Sequence, residues 1–240
     1  MPKYKVSLVI PAYNEEKYIA ACLDHAIKNS GGRFFEIIVI DNASTDSTSR
    51  IARGFPGVRV VHEPNKGLTS ARQRGFLESS GDIVAYLDAD TRLPESWFDV
   101  LEREFTHDLE LICLSGPYRY YDFSGGVHAL TMFYWEYVIQ PTSRLVGHMV
   151  MGASFAVRRP ALEKIGGFDT SIKFYGEDTD IGRKLSKIGK VKYANDFFIL
   201  TSARRLKSEG AVRTGVRYSM NYIWEVVFRR PFSKDYQDIR

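Results

Sequence analysis

Three short apolar runs constrain this chain more than any other feature: Val6-Ser7-Leu8-Val9-Ile10, Glu36-Ile37-Ile38-Val39-Ile40 and Ile83-Val84-Ala85-Tyr86-Leu87. Each is too short for a helix of ordinary length and rich in β-branched or aromatic residues, which is the pattern of a buried strand. Helical patterns separate them. Ile19, Leu23 and Ile27 recur at helical spacing before Gly31-Gly32, which predicts a helix and its stop. A short helix is expected near Ser49 to Arg53, capped by Ser44 or Asp46, then a strand at Val58 to Val61 and a helix from Thr69 to Ser79. Strands alternating with helices predict an α/β fold with a mainly parallel, right-handed sheet flanked by helices.

In such a sheet the loops at the carboxyl ends of the strands line the crevice where ligands bind. Here those loops are Pro11-Ala12-Tyr13-Asn14-Glu15-Glu16, Asp41-Asn42-Ala43-Ser44-Thr45-Asp46 and Asp88-Ala89-Asp90. Two carboxylates one residue apart repel each other unless a cation lies between them. A hard divalent cation carrying a diphosphate satisfies that need, since carboxylate oxygens suit Mg²⁺ or Mn²⁺. An Asp-rich turn leading into the next helix satisfies the same residues, and both readings stand at this point. No Gly-x-Gly-x-x-Gly follows the first strand and no Gly-Lys-Ser/Thr loop occurs, which argues against a dinucleotide enzyme or a P-loop.

Val-Ile-Pro-Ala-Tyr-Asn-Glu-Glu (9 to 16), Val-Ile-Asp-Asn-Ala-Ser-Thr-Asp (39 to 46), Asn-Lys-Gly-Leu-Thr-Ser-Ala-Arg (65 to 72) and Leu-Asp-Ala-Asp (87 to 90) occur in that order. The ordered set resembles family 2 glycosyltransferases over about the first 200 residues. The resemblance implies the nucleotide-binding GT-A fold, a nucleotide-sugar donor and a divalent metal, Mg²⁺ or Mn²⁺. It implies that Pro11, Ala12 and Tyr13 lie at the base, Tyr13 stacking near it, with Glu15 at the ribose and Asp41 accepting from the base. Arg72 would lie close to the base or phosphates, Asp88 at the ribose and metal, Ala89 beside it at the substrate, and Asp90 on the metal. Taken singly, Tyr13 also fits a core ring, Asp41 a turn before a helix, and Arg72 a solvated helix face. Asn42-Ala43 departs from the Asp-Gly often found there, which leaves base selectivity open.

In the second half, Leu111 to Leu114 and Val150 to Val157 read as strands, the latter with small residues where a ligand can approach. Val127 to Gln140 reads as a helix crowded with Met132, Phe133, Tyr134, Trp135 and Tyr137, suited to a core or to an acceptor groove. Gly166-Gly167-Phe168-Asp169 precedes Gly176-Glu177-Asp178, and Ile181, Leu185 and Ile188 then follow at helical spacing with Gly189 as the stop. Glu177 and Asp178 therefore stand at a helix N-terminus, where acidic side chains complement the helix dipole. The resemblance assigns more. It makes Asp178 the catalytic base, needed because a sugar hydroxyl is a poor nucleophile at neutral pH, and it has Glu177 orient the acceptor.

Composition excludes other classes. A net charge of +4 is too small to argue for nucleic acid. Cys22 and Cys113 show neither metal spacing nor a disulfide framework and read as buried thiols. His25, His62, His107, His128 and His148 do not pair at metal spacing, and no His follows Asp178. No run reaches the roughly 18 apolar residues of a spanning helix and no signal peptide is evident, so the expected location is cytoplasmic. From Ser202 the chain turns basic, with Arg204, Arg205, Lys207, Arg213, Arg217, Arg229 and Arg230 beside a stripe of Val212, Val216, Met220, Ile223 and Val227. Residues 206–240 thus read as a basic amphipathic helical tail after a GT-A domain at 1–205. The tail is suited to a membrane surface, at the inner face of the membrane, or to packing on the domain.

The expected activity is inverting, metal-dependent transfer of one sugar, from a UDP-sugar rather than a GDP-sugar, to the hydroxyl of a glycan or lipid-linked acceptor. The signature of processive synthases is missing. A non-catalytic nucleotide-sugar or lipid-headgroup binding protein, and a nucleotidyltransferase, are the alternatives; oligomer formation is left open.

Overall fold

Strands Val6–Ala12 (β1), Glu36–Asp41 (β2), Val58–His62 (β3) and Ile83–Leu87 (β4) pair in parallel in the order β3-β2-β1-β4. The computed structural model describes residues 3–123, 137, 141, 149–172 and 176–210. The expected helices lie between these strands as α1 (Ile19–Ser30), α2 (Thr48–Arg53) and α3 (Leu68–Glu78). Every residue of β1 and β4 is buried, as their unbroken apolar runs require. Pro11 lies within β1 without disrupting it, because its β4 pairing ends at Val9↔Tyr86 and only β2 continues alongside. Ile19, Cys22, Leu23 and Ala26 form the buried face of α1, and Gly31 ends that helix at φ 60°, a left-handed conformation that glycine adopts without strain.

Beyond β4 come β5 (Thr91–Arg92), α4 (Trp97–His107), β6 (Leu111–Ser115), β7 (Tyr118–Tyr120), β8 (Ser154–Arg158) and α5 (Arg159–Ile165). They are followed by α6 (Glu177–Ser186), β9 (Lys190–Tyr193), β10 (Ile199–Thr201) and α7 (Arg204–Glu209). β8 runs antiparallel between β4 and β6, and β9 extends the sheet parallel to β6, giving seven strands in all. A second sheet has the order β5-β10-β7. This small sheet ties the segment just after Asp90 to the C-terminal part of the described chain, with Thr201 opposite Thr91.

Two apolar layers cover the main sheet. One gathers Leu8, Ile10, Leu23, Trp97, Phe98 and Phe105 under α1 and α4. The other gathers Val9, Tyr86, Phe155, Phe168, Ile181 and Leu185 under α3 and α6. In the second, Tyr86 stacks on Phe155 with ring centroids 4.8 Å apart and meets Phe168 edge-on at 5.1 Å. Cys22 and Cys113 are both buried free thiols, as expected.

Three readings change. The strand expected from Val150 is confined to Ser154–Arg158, because Ser154 N–H bonds back to Met151 O and turns the chain at Gly152. The helix α5 was not legible as a separate element; Pro160 stands in its first turn, where a missing N–H is harmless. The short β5, β7 and β10 were not read at all. The expected helix at Val127 to Gln140 lies outside the described residues apart from Tyr137, which is exposed, and the tail beyond Gly210 lies outside them entirely.

Candidate active site

β1, β2 and β4 are neighbours, so the loops after Ala12, Asp41 and Leu87 open side by side at one edge. β8 is antiparallel to β4, so its amino end arrives at the same edge, where Asp88 N–H bonds to Ala153 O at 3.1 Å. The Asp88 carbonyl accepts from both Thr91 N (3.2 Å) and Thr91 Oγ1 (2.6 Å), closing a turn over Asp88-Ala89-Asp90. The turn and the carboxylate pair that were alternatives in the sequence are thus one structure. Asp46 does serve the start of α2, its Oδ1 accepting from Thr48 N at 2.9 Å.

Each candidate residue now has a place. Pro11 and Ala12 are buried at the end of β1, and Ala89 is buried inside the Asp turn. Tyr13 is half-buried and therefore not a core ring; Lys66 Nζ lies 3.9 Å from its ring centroid and 2.6 Å from its hydroxyl. Asp41 is buried and engaged in the turn after β2, where its Oδ1 accepts from Ser44 N at 3.1 Å, while Oδ2 lies 3.4 Å from His62 Nδ1. Asn42 closes the loop before α3, with Nδ2 donating to Glu63 O and Asn65 O, and Oδ1 accepting from Gly67 N at 2.7 Å.

Arg72 is not a solvated helix residue. It is 1% exposed, lies over the Phe155 ring, and donates from Nη2 to Gly152 O at 2.6 Å. It also reaches Asp88 Oδ1 at 3.4 Å and Glu177 Oε1 at 3.6 Å, so one buried cation joins the carboxylate turn after β4 to the start of α6. Its Nε and Nη1 have no hydrogen-bond partner among the described residues. Asp178 accepts from Thr179 N at 2.8 Å and from the Gly152 backbone. The protein's own groups crowd Gly152: a Cβ there would lie 3.2 Å from Arg72 Nη2. The loop into α6 is held by Phe168 N to Gln73 Oε1 and Thr69 Oγ1 to Ile172 O, both 2.8 Å. Gly167 has φ +75°, and a Cβ on it would lie 2.1 Å from Gln73 Oε1, which accounts for glycine there.

Burial sets the electrostatics. It raises the Glu177 carboxyl to about 7, with the neighbouring Asp178 charge adding to the lift and Arg72 opposing it. It raises Asp178 above the usual carboxylate range, again against Arg72. Asp88 is pushed up to about 6 by desolvation, Arg72 opposing; its side chain is 35% exposed, so solvent tempers that effect.

One residue of the site was assigned elsewhere. Arg204, which composition placed among the surface cations of the tail, is instead directed into this edge. Its Nη1 and Nη2 donate to both oxygens of Glu15 at 2.8 and 2.7 Å, and its Nε lies 3.0 Å from Asp90 Oδ2. Asp122 anchors the start of α7 by accepting from Ala203 N at 2.6 Å, Ser202 Oγ at 3.1 Å and Lys207 Nζ at 2.9 Å. Nothing in the run Ser202-Ala203-Arg204-Arg205 marks Arg204 as an arginine that turns inward.

The donor set suits a divalent cation that arrives with its own oxygens. Asp88 and Asp90 offer carboxylate oxygens on one turn, the usual protein share for Mg²⁺ or Mn²⁺ bound together with phosphates. Among the described residues no group of three or more His, Cys, Asp or Glu side chains could hold a metal alone. No described helix is long and apolar enough to cross a membrane.

A seven-stranded α/β sheet with acidic loops at the carboxyl ends of β1, β2 and β4 is the GT-A architecture that the sequence led us to expect. The model of glycosyl transferase family 2 matches residues 7–166, and the chain belongs to that family. A model of glycosyl transferase family 21 matches residues 129–219. Chondroitin synthase of Escherichia coli is 31% identical over 194 residues, covering 79% of this chain and 28% of that protein. The mannosyltransferase of Pyrobaculum calidifontis, solved with GDP-Man and Mn²⁺, superposes with a TM-score of 0.66 at 20% identity, over 89% of this chain and 64% of that one. Glucosyl-3-phosphoglycerate synthase of Mycobacterium tuberculosis, solved with Mn²⁺, UDP and phosphoglyceric acid, gives 0.66 at 21% identity, over 96% and 81%.

Proposed function

We propose that this chain transfers a single sugar, with inversion, from a nucleotide-diphosphate sugar to an acceptor hydroxyl on a glycan or a lipid-linked sugar. The observation that carries the reading is the buried Arg72, which joins Asp88 of the strand-end turn to Glu177 beside Asp178. A donor diphosphate and an acceptor hydroxyl must meet within one site, and this arginine couples the two carboxylate groups suited to them.

Tyr13, Glu15 and Asp41 bind the nucleoside, the half-buried ring offering a face for stacking. Asp88 and Asp90 would hold the divalent metal, Mg²⁺ or Mn²⁺, which would supply Lewis-acid charge to the leaving diphosphate. Asp178 takes the proton of the acceptor hydroxyl as that oxygen bonds to the anomeric carbon. The bond from that carbon to the diphosphate oxygen breaks, and the nucleoside diphosphate leaves with its electron pair. Glu177 orients the acceptor. Burial favours this division of labour, because a base whose pKa lies above the usual carboxylate range accepts a proton more readily. The nucleotide complexes of the two structural relatives support a UDP- or GDP-sugar donor.

A thermal-shift panel of UDP-, GDP- and dTDP-sugars with and without Mn²⁺ tests the donor, since a ligand bound only by the folded state raises its stability. The expected result is a metal-dependent rise with one nucleotide series that is lost in Asp90→Ala. No rise with any of them would refute the donor site.

A further inference from the structure

Arg204 stands where a cation is expected to meet Asp90, and it reaches that place by construction rather than as a surface side chain. β5 begins immediately after Asp90, β10 pairs with it, and Ser202 N–H bonds to Asp90 O at 3.3 Å. Asp122 then fixes the first turn of α7, so the guanidinium is aimed from a braced position. Its fork closes on Glu15, whose side chain is 5% exposed, and its Nε on Asp90, 14% exposed. A fork–fork contact of this kind is among the stronger charge-assisted pairs. The Arg204 side chain also lies over the Tyr18 ring at 4.9 Å.

Arg204 Nε already sits on Oδ2 of Asp90, and a divalent cation on the same carboxylate would lie within a few ångströms of the guanidinium, so the two positive charges oppose each other there. We propose that Arg204 is a positioning residue that competes with the metal for Asp90 and yields it only when metal and nucleoside diphosphate arrive together. The diphosphate brings the negative charge that lets a second cation enter a site already neutralised by Arg204. Glu15 remains held by the fork, so the nucleoside side of the site stays ordered while Asp90 changes partner. Metal and nucleotide binding are thereby coupled, each tightening the other by the same factor. The proposal rests on the reading of Asp90 as a metal ligand.

Mn²⁺ binding measured by electron paramagnetic resonance tests it, on the full chain, with and without UDP or GDP, and with no turnover. Arg204→Met is expected to tighten Mn²⁺ binding to the nucleotide-free protein by at least about fivefold, and to shrink the factor by which the nucleotide tightens it. Arg204→Lys, which keeps a charge for Glu15 but loses the fork, is expected to fall between the two and keeps the test open if the methionine variant unfolds. Adding Asp90→Asn to either variant should remove the gain. Unchanged or weaker Mn²⁺ binding in both arginine variants would overturn the proposal while leaving the metal site intact, provided Asp90→Asn still abolishes nucleotide-dependent Mn²⁺ binding. Nucleotide-dependent Mn²⁺ binding that ignores Asp90→Asn would overturn the metal reading and the proposal with it.

Discussion

Arg72 Nη1 lies 3.6 Å from Glu177 Oε1 while the arginine side chain is 1% exposed, so a full positive charge is stored inside the protein against carboxylates on two different elements. The guanidinium lies over the Phe155 ring, which stacks in turn on Tyr86 in the apolar layer under α3 and α6. Such a charge is tolerated because Asp88, Glu177 and the Gly152 carbonyl surround it.

Replacing Arg72 by methionine should therefore destabilise the protein by about 3–5 kcal/mol, the usual range when one member of a buried ion pair is removed. The loss should shrink as pH falls, because protonating Glu177 removes the charge left without a partner. Urea denaturation at pH 5 and pH 8 measures both effects. An equal loss at the two pH values would place the arginine's contribution in packing alone.

Glu177 carries a pH signature of its own. Its folded pKa is raised to about 7 from an ordinary value of 4.5, so the folded state binds the proton more tightly than the unfolded state. Between those values the unfolded state binds fewer protons, and this group's contribution to stability falls as pH rises. Below about pH 4.5 both states are protonated and the group is neutral to stability. Glu177→Gln should accordingly gain on wild type as pH goes from 5 to 8, each kcal/mol raising Tm by about 2–4 °C for a chain of this size. A melting-temperature difference independent of pH would mean that Glu177 is not a buried, protonatable group.

Asp178→Asn is expected to keep nucleotide-sugar affinity and to lose on the order of 10²-fold or more in kcat, the scale of a missing general base. In the wild-type protein the rate should rise with pH along a limb displaced above the ordinary carboxylate range, since a base must be ionised to act and burial holds Asp178 protonated longer. Steady-state rates across pH 4–8 measure it, and a variant as fast as wild type would move the base to another group.

The turn after β2 offers a stability test. Asn42 is 4% exposed and donates to Glu63 O at 3.2 Å and Asn65 O at 2.7 Å, which a carboxylate cannot do. Asn42→Asp should destabilise by about 1–3 kcal/mol, because the buried Glu63 carbonyl loses its donor. Ala43 beside it has φ 60°, so Ala43→Gly should relieve strain and gain up to about 1 kcal/mol. Denaturant midpoints at unchanged m-value would verify both.

The alternation of the apolar runs with helical segments was enough to determine the first half of the fold. A strand buried on both faces must be continuously apolar, and a carboxyl-end loop in a parallel sheet must carry the polar ligands. Those are local rules, so Asp41, Asp88 and Asp90 could be placed on the carboxyl-end loops of the sheet, and Glu177 and Asp178 at a helix start, from residue order alone. Composition also suggested that Arg204 and Arg205 belong to one surface patch, and there the local rules fail. Whether an arginine turns inward depends on the carboxylates that lie opposite it, and Arg204 meets Glu15 across 189 residues of chain. That meeting exists only because β10 pairs with β5 and Asp122 holds the first turn of α7. Arg72 is the same case, since its burial follows from the antiparallel arrival of β8, which sets Gly152 and the start of α6 around it. Charge partners far apart in sequence are chosen by the closure of the sheets, because an ion pair is decided by distance in space.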